Sequence, residues 1–199
     1  MMSEYWNKRY VDSDYAYGEE PNVFFAEQLN SLKAGTIILP CDGEGRNGVF
    51  AAKSGWNVYA FDSSEKGKTK AMKLAEKSGV EINYIIEDAV SVSYANDSAD
   101  VVALIYAHLP PDVRKPLHQQ SVAWLKPGGR LILEAFNPTQ LHNSSGGPKD
   151  IGMLYTEKML REDFKGLRIE FAELLQTSLN EGKYHEGKAD IIRFAGVKI

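Results

Sequence analysis

A glycine-rich turn flanked by carboxylates is the part of this sequence whose residue types and spacing could do chemistry. The apolar run 36–40 breaks into Cys41-Asp42-Gly43-Glu44-Gly45-Arg46-Asn47, and the next apolar run ends at Asp62. Glycines let a backbone approach a ligand that a Cβ would push away, and a helix that starts behind them aims free N–H groups at it. In α/β domains that hold the adenosine half of a cofactor, a strand is typically followed by such a turn and a helix, and an acid follows one βα unit later. The sequence therefore predicts a nucleoside cofactor site at this turn.

The elements that position this turn alternate between strands and helices along most of the chain. Apolar periodicity predicts strands at residues 36–40, 57–61, 81–86, 100–106 and 130–136, and helices at 47–54 and 65–78. Pro111 and Pro116 each suit a first helical turn, which predicts a short helix followed by a longer one that ends at Leu125. Residues 126–129 are expected to form a turn. Repeated βαβ units imply a parallel sheet with right-handed crossovers.

The carboxyl-terminal third breaks this alternation. After an expected helix around residues 156–164, the runs 167–178 and 189–197 are typical of strands, and only a polar loop joins them. Strands connected in this way pair antiparallel. The predicted fold class is α/β, with a Rossmann-like sheet that is mostly parallel, an antiparallel C-terminal hairpin and helices on both faces.

Several stretches give the chain a resemblance to a known family along nearly its whole length. They are Tyr15-Ala16-Tyr17-Gly18-Glu19-Glu20-Pro21-Asn22, Gly43-Glu44-Gly45-Arg46-Asn47, Asp62, Glu87-Asp88-Ala89, His108-Leu109-Pro110-Pro111 and Leu125-Lys126-Pro127-Gly128-Gly129-Arg130. In these stretches the chain resembles the class I S-adenosylmethionine-dependent methyltransferases, in particular the small bacterial tellurite-resistance and thiopurine methyltransferases. The resemblance implies S-adenosyl-L-methionine as the cofactor and a seven-stranded sheet of order 3-2-1-4-5-7-6.

The same resemblance implies roles for individual residues. Gly43 and Gly45 should lie against the methionine part of the cofactor, Asp62 should accept from both ribose hydroxyls, and Asp88 should accept from the adenine amino group. The family usually has an acid at the place of Leu39 and a glycine at the place of Cys41, so Asp42 is expected to take over part of the contact with the cofactor's amino group. The expected cofactor-binding residues are Tyr10, Tyr17, Cys41, Asp42, Gly43, Gly45, Asn47, Asp62, Ser63, Asp88, Ala89, Tyr106 and Ala107.

Aromatic residues are concentrated before the first strand. Seven of the 21 aromatic residues lie within the first 25 positions. This density predicts a helical lid over residues 1–30, in which Tyr10 and Tyr17 cover the cofactor. The alternative is a helix that packs on the sheet for stability alone.

Length and composition limit the classes of function. A chain of 199 residues with 43% hydrophobic content suits a single domain, with residues 31–136 as the cofactor-binding core and 137–199 as a substrate loop and the hairpin. A net charge of −4 argues against nucleic-acid binding. We expect small-molecule partners, a cytoplasmic location, and neither a membrane span nor a metal site, because no apolar run is long enough and no histidines have ligand spacing. The sequence makes no prediction of the oligomeric state.

Other functions also fit the glycine turn. Residues 43–48 satisfy the pattern G-x-G-x-x-G, and Asp62 lies near the position of the ribose-binding acid of nicotinamide enzymes. An NAD(P)-binding oxidoreductase is therefore an alternative, although Asp88, the terminal hairpin and the lack of room for a substrate domain favour the methyltransferase. A nucleic-acid amino-methyltransferase would carry an acid or amide beside the prolines at 110–111, and this chain does not. A cofactor-binding protein without turnover is the remaining alternative.

The expected reaction is in-line displacement at the cofactor's methyl carbon by the acceptor, leaving S-adenosylhomocysteine. The protein's task is to align the reactants and to exclude water. We find no convincing general base in the sequence, so no catalytic residue is assigned and a soft acceptor such as a thiol or a selenium or tellurium oxyanion is favoured. Residues 137–155 are too many for a simple connector and are expected to form one wall of the substrate pocket. His108 is expected in the pocket and His118 on the outside of a helix. His142 and His185 are expected in loops that could cover the substrate, with a solvated surface position as the more common outcome.

Overall fold

One seven-stranded sheet organises the computed structural model, which describes residues 2–199. The strands are β1 (Thr36–Pro40), β2 (Asn57–Asp62), β3 (Asn83–Ile86), β4 (Ala99–Ile105), β5 (Leu125–Phe136), β6 (Leu167–Asn180) and β7 (Glu186–Lys198). The helices are α1 (Met2–Arg9), α2 (Val23–Asn30), α3 (Arg46–Lys53), α4 (Glu65–Lys77), α5 (Pro111–Trp124) and α6 (Glu157–Asp163). Two 3-10 helices, Pro138–His142 and Ile151–Met153, lie in the long connection before α6.

The strand order is β3-β2-β1-β4-β5-β7-β6. Strands β1 to β5 pair in parallel, and β7 pairs antiparallel with both β5 and β6. The predicted fold class and strand order are thus confirmed. Because β7 runs against β5, the turn between β6 and β7 lies at the same edge of the sheet as the carboxyl ends of the parallel strands.

Alternating residues of the strands supply two apolar cores, one on each face of the sheet. Ile38 faces the core that α5 and α6 complete with Leu117 and Leu160. Ile37 and Leu39 face the opposite core, which α2, α3 and α4 complete with side chains that include Phe25, Leu29, Val49, Ala71 and Leu74. Helix α2 is therefore part of the core, and the two faces hold the parallel strands rigidly beneath the glycine turn.

Two details of the predicted elements are wrong. Residues 111–124 form one helix rather than two, with Pro116 inside it. A proline there removes one intrahelical hydrogen bond, but the buried face of α5, with Leu117 and Trp124, carries the helix through. The turn expected at residues 126–129 lies inside β5 as an irregularity, because Leu125 pairs with Ala99 and the next pairing joins Arg130 to Val101.

His118 is buried, contrary to the expectation that it lies outside a helix. Its ring stacks on Phe164 at 4.5 Å, and its Nδ1 atom lies 2.9 Å from Oδ2 of Asp163 on α6. Asp163 also accepts from Arg114, so the buried polar face of α5 is matched by one acid of α6. Among residues 2–199, no helix is both long and apolar enough to cross a bilayer.

Candidate active site

A cavity of about 610 Å³ lies at the carboxyl ends of β1, β2 and β4. This edge contains the switch point between β1 and β4, where open α/β sheets bind ligands. The volume is within the range of ~300–1,000 Å³ that is usual for small-molecule pockets. The cavity is closed by the glycine turn, the segment around Tyr10 and Tyr17, part of the loop 137–155, and the turn between β6 and β7.

The structure brings twelve of the thirteen predicted residues to this cavity. They are Tyr10, Tyr17, Cys41, Asp42, Gly43, Asn47, Asp62, Ser63, Asp88, Ala89, Tyr106 and Ala107. Gly45 is outside the lining: it caps α3 with a φ of +84°, and an added Cβ would lie 2.5 Å from that of Ala71. The absence of a side chain at Gly45 thus allows α3 to pack against α4. The contacts of all thirteen with a cofactor stay predictions.

The turn after β1 is shaped to bring backbone close to a ligand. Cys41 and Gly43 have φ angles of 56° and 57°, and a Cβ on Gly43 would lie 2.6 Å from the hydroxyl oxygen of Tyr10. The hydroxyl of Tyr84 donates to the carbonyl oxygen of Gly43 at 2.7 Å. Gly43 is therefore held on one side by the hydrogen bond from Tyr84 and faces the ring of Tyr10 on the other side.

Asp62 lies at the end of β2 and is fixed by backbone donors. Its Oδ2 atom accepts from Gly43 N at 3.2 Å, and its Oδ1 atom accepts from Ser64 N at 2.9 Å. A carboxylate has about four acceptor positions, so two remain for a ligand. Burial raises the pKa of Asp62 to about 6, against the lowering effect of these hydrogen bonds.

Asp42 adds a second carboxylate to the same floor. Its Oδ2 atom accepts from Gly48 N at 3.2 Å, and burial, aided by the negative charge of Asp62, raises its pKa to about 8. Neither acid forms an ion pair within the described chain. Burial also raises the pKa of the Cys41 thiol, so this side chain is neutral. Two buried acids without a basic partner suit a ligand that carries positive charge.

The segment before α2 is tied to the glycine turn by polar side chains. Glu44 accepts from Ala16 N at 2.8 Å, and Oδ1 of Asn47 accepts from Asn22 N at 3.0 Å. The guanidinium of Arg46 donates to the carbonyl oxygen of Tyr17 at 3.1 Å. Asn47 thus positions the chain as well as lining the cavity.

His108 lies in the cavity wall as expected, but both of its ring nitrogens are engaged. Nδ1 lies 2.6 Å from the carbonyl oxygen of Met153, and Nε2 accepts from Phe136 N at 3.1 Å. These partners fix the tautomer with the proton on Nδ1. Burial lowers the pKa of His108 to about 4, so the ring is neutral. It joins the loop 137–155 to the sheet and has no free nitrogen for proton transfer.

The expectation that His185 is solvated is wrong, since this residue is buried in the cavity wall. Its ring centroid lies 4.5 Å from those of both Tyr17 and Tyr106, and its Nδ1 atom lies 3.4 Å from Oε2 of Glu181. Sequence reasoning gave His185 a place over the substrate only as the less common outcome, and it assigned no role to Glu181. The topology could have identified them. In a terminal hairpin that pairs antiparallel with β5, the turn lies at the edge of the sheet where the parallel strands end and the ligand binds.

The loop 137–155 contributes to the cavity as expected. Its lining residues are Ser144, Gly146, Gly147, Pro148, Lys149 and Met153. The amino-terminal segment contributes rings: Trp6 stacks on Tyr10 at 5.6 Å, and the guanidinium of Arg9 lies 3.8 Å from the ring centroid of Tyr184. Within residues 2–199, no three acidic, histidine or cysteine side chains are grouped as metal ligands.

Comparisons with known proteins agree with this geometry. Residues 40–129 match a family described as a methyltransferase domain. No curated protein sequence matches the chain. A structure from work on the conversion of a disulfide bond into a thioacetal group during echinomycin biosynthesis has a TM-score of 0.77 at 15% identity, covering 100% of this chain and 92% of that chain.

Two further solved structures have the same fold. A SAM-dependent methyltransferase from Methanosarcina mazei has a TM-score of 0.71 at 18% identity, covering 90% of this chain and 99% of that chain. TehB from Haemophilus influenzae has a TM-score of 0.72 at 15% identity, covering 99% of this chain and 67% of that chain. The expected family resemblance, including its tellurite-resistance branch, is confirmed. Residues 40–129 thus match a methyltransferase domain, and the chain has the fold of the class I S-adenosylmethionine-dependent methyltransferases, whose members use S-adenosyl-L-methionine as methyl donor.

Proposed function

We propose that the protein transfers the methyl group of S-adenosyl-L-methionine to a small, soft acceptor such as a thiol. The observation that carries this proposal is the pair of buried acids, Asp42 and Asp62, at the ends of the glycine turn and of β2. When bound, the cofactor supplies a methyl group that its sulfonium makes electrophilic. Both the cofactor's cationic methionine end and its ribose hydroxyls match what the two carboxylates can accept.

The residues of the cavity floor have separate tasks in this proposal. Asp62 takes the ribose hydroxyls with its two remaining acceptor positions, and Gly43 lets the methionine part approach the backbone. Asp42 takes the cofactor's amino group. Asp88 and Ala89 follow β3, where the exposed carboxylate of Asp88 is oriented by Val90 N at 3.1 Å and addresses the adenine. The chain thereby orients the donor while rings above it exclude water.

The acceptor end of the cavity supports a small and polarisable molecule. About 610 Å³ must hold both the cofactor and the acceptor, which leaves little room for a large substrate. The rings of Tyr106 and Phe136 lie 4.7 Å apart in this wall. Sulfur makes favourable contacts with aromatic rings, so this surface suits a thiol better than a strongly hydrated acceptor.

The same acids disfavour a nicotinamide dinucleotide. In dinucleotide-binding folds the pyrophosphate lies at the N-terminus of the first helix. Here Asp42 occupies that position, because its carboxylate accepts from Gly48 N in the first turn of α3. An anionic pyrophosphate would compete with the Asp42 carboxyl group for Gly48 N and would face the negative charge of Asp62. The geometry therefore supports the methyltransferase over an NAD(P)-dependent oxidoreductase.

Ligand-dependent melting and product analysis test the proposal. S-adenosylhomocysteine should raise the melting temperature, since a ligand that binds the folded state stabilises it, whereas NAD and NADP should not. Incubation with methyl-labelled S-adenosyl-L-methionine and a panel of thiols, amines and hydroxyl compounds should label a thiol. A thermal shift with a nicotinamide and none with S-adenosylhomocysteine would overturn the proposal. Binding without labelled product from any acceptor would instead indicate a cofactor-binding protein without turnover.

A further inference from the structure

The cavity wall holds two buried histidines that differ in how their nitrogens are used. Both ring nitrogens of His108 form hydrogen bonds to backbone groups, Nδ1 to Met153 O and Nε2 to Phe136 N. In His185 only Nδ1 is engaged, at 3.4 Å from the carboxylate of Glu181. Its Nε2 atom makes no hydrogen bond to any group of residues 2–199. His185 lines the cavity. Its second nitrogen is therefore available to a molecule in the cavity.

Glu181 is built to orient this ring. Its Oε2 atom also accepts from Nη2 of Arg46 at 2.8 Å, and its Oε1 atom accepts from Nδ2 of Asn22 at 3.0 Å. Burial raises the pKa of Glu181, but the bonds to His185 and Arg46 outweigh it and hold the pKa at about 2. The carboxylate is thus ionised and accepts the Nδ1 proton. That tautomer leaves the lone pair on Nε2, as in enzymes whose histidine base is oriented by an acid.

The surroundings keep the ring neutral until it receives a proton. Burial lowers the pKa of His185, and the positive charges of Arg46 and Arg9 act in the same direction against the carboxylate of Glu181. The titratable and charged groups that face it from the packed elements are Arg9, Tyr17, Arg46, Tyr106, His108 and Glu181. The ring also lies beside Gly146, whose added Cβ would approach its Cδ2 atom to 2.8 Å. The loop and the aromatic rings therefore fix its orientation.

We propose that His185, positioned by Glu181, is the general base that takes the proton from a thiol acceptor. The inference rests on the proposed function. The S–H bond of the thiol breaks, its proton moves to Nε2, and the electron pair stays on sulfur, which becomes the nucleophile for the methyl group. The resulting imidazolium is stabilised by the Glu181 carboxylate and returns its proton to water when the product leaves.

A thiol is the acceptor class that this arrangement suits. Alkyl thiols have a pKa of about 8.5, and the pKa of His185 lies below the ordinary histidine value of about 6.5, so the proton is transferred while the sulfur attacks the methyl group rather than beforehand. Alcohols lie far above this range, and an oxyanion acceptor needs no base. The thiolate is also a soft nucleophile, in agreement with the aromatic wall. The histidine thus narrows the acceptor to a thiol that is protonated in solution.

A spectroscopic test uses the wild-type protein without turnover. Nitrogen NMR of 15N-histidine-labelled protein, saturated with S-adenosylhomocysteine, should show His185 with an unprotonated Nε2. Addition of benzenethiol should move the Nε2 signal upfield, since the S–H group of the thiol donates to this nitrogen. His185→Gln identifies the signal by its loss. A His185 signal that keeps the proton on Nε2, or an Nε2 signal that does not move with benzenethiol bound, overturns the proposal.

A kinetic test compares two thiols on the same variants. 4-Nitrothiophenol is already ionised at neutral pH, whereas 2-mercaptoethanol is protonated. His185→Gln should lower the methylation rate of 2-mercaptoethanol by roughly 10²- to 10⁴-fold, the usual contribution of a general base, and that of 4-nitrothiophenol by less than about tenfold. The exposed His142, replaced in His142→Gln, is the matched control and should change neither rate.

The outcomes separate this inference from the proposed function. If S-adenosylhomocysteine binds wild type and His185→Gln alike, but the variant loses equal activity on both thiols, His185 is not the base. If the wild type methylates neither thiol but labels another acceptor, the thiol assignment is overturned while methyl transfer stands. If S-adenosylhomocysteine does not bind the wild type, the proposed function itself fails and this inference fails with it.

Discussion

The backbone N–H of Gly43 donates a 3.2 Å hydrogen bond to Oδ2 of Asp62. This contact joins the glycine turn after β1 to the end of β2, two elements that the parallel sheet places side by side. The carboxylate is therefore oriented before any ligand arrives, and the free energy of binding is not reduced by the cost of ordering it.

Replacement of Asp62 by alanine should weaken cofactor binding far more than folding. We expect Asp62→Ala to reduce the affinity for S-adenosylhomocysteine by about 1.5–3 kcal/mol, roughly 10- to 150-fold, the scale of hydrogen bonds to a charged acceptor. Titration calorimetry measures this change. Asp112→Ala, at an exposed acid of α5, is the control and should bind normally. Unaltered affinity in Asp62→Ala would mean that the ribose lies elsewhere.

Gly43 should tolerate no side chain. Gly43→Ala places a Cβ 2.6 Å from the hydroxyl oxygen of Tyr10 at a φ of +57°, so we expect both strain and loss of S-adenosylhomocysteine binding. Gly79→Ala is a matched control, because its φ is +67° and nothing lies within 4 Å of the added Cβ. It should cost only the left-handed strain of about 1 kcal/mol.

Urea unfolding and calorimetry distinguish the two glycine variants. Gly43→Ala should be the less stable of the pair, and adding Tyr10→Phe should recover part of the difference, since it removes the nearest atom. Equal stability and normal ligand binding in both variants would show that the turn has more space than the structure gives it.

The inner parallel strands β1 and β4 were predictable from the sequence because each is buried on both faces and appears as an apolar run. The breaks after Pro40 and Phe61 identified the ligand edge, since the carboxyl ends of parallel strands share one edge. The cofactor-binding residues proposed at those breaks follow from topology together with the family resemblance.

The positions of His118 and His185 were not predictable, because they depend on distant partners, whereas His108 follows β4 directly and was expected in the pocket. His118 is buried only because Asp163 of α6 lies opposite it, and His185 reaches the cavity only because β7 pairs with β5. The single helix across Pro116 has the same origin. Its buried contacts with the sheet outweigh the local preference of proline, and local preference is all that a single sequence shows.

Asp42 should lower the stability of the folded protein at high pH, although its charge favours ligand binding. Its folded-state pKa of about 8 lies above the ordinary value of 3.8, so the folded state favours the protonated acid. The stability that this contributes is present below about pH 4 and is lost as the pH rises through about 8. An asparagine cannot ionise, so Asp42→Asn should not lose stability as the pH rises, and its amide oxygen still accepts from Gly48 N. We expect the variant to be more stable than wild type at pH 9 by roughly 1–3 kcal/mol, with the gain disappearing near pH 4.

The same variant should bind the cofactor less well. The neutral amide offers no charge to the amino group of the ligand, so the affinity for S-adenosylhomocysteine should fall by about 1.5–3 kcal/mol at pH 8. Urea unfolding at several pH values and calorimetry measure the two effects, with Asp112→Asn as the control. A variant that loses stability at pH 9 would contradict the raised pKa, and one that binds normally would contradict the role of Asp42.

The amino-terminal lid is the last prediction, and the structure narrows where movement is to be expected. Helix α2 buries Phe24, Phe25 and Leu29 in the core, and Glu44 and Asn47 hold the backbone of residues 16 and 22. Several ties of the residues before Ala16 are exposed to solvent, among them the bonds from Lys70 Nζ to Asp14 O and from Lys183 Nζ to Asp12. Asn7 contacts Ser64 Oγ at 2.7 Å, and Tyr10 lies over Gly43. We therefore expect residues 2–14, rather than the whole of 1–30, to open when the cavity is empty.

Limited proteolysis tests this lid, because trypsin can cut after Lys8 and Arg9. The free protein should be cleaved there at an early stage, and S-adenosylhomocysteine should slow the cleavage, since contacts of the ligand with Tyr10 would favour the closed state. Tyr10→Ala should remove this protection while cleavage elsewhere stays unchanged. Mass spectrometry of the fragments gives the rates. Equal rates of cleavage at Lys8 and Arg9 with and without ligand would show that α1 packs permanently on α4 and serves stability alone.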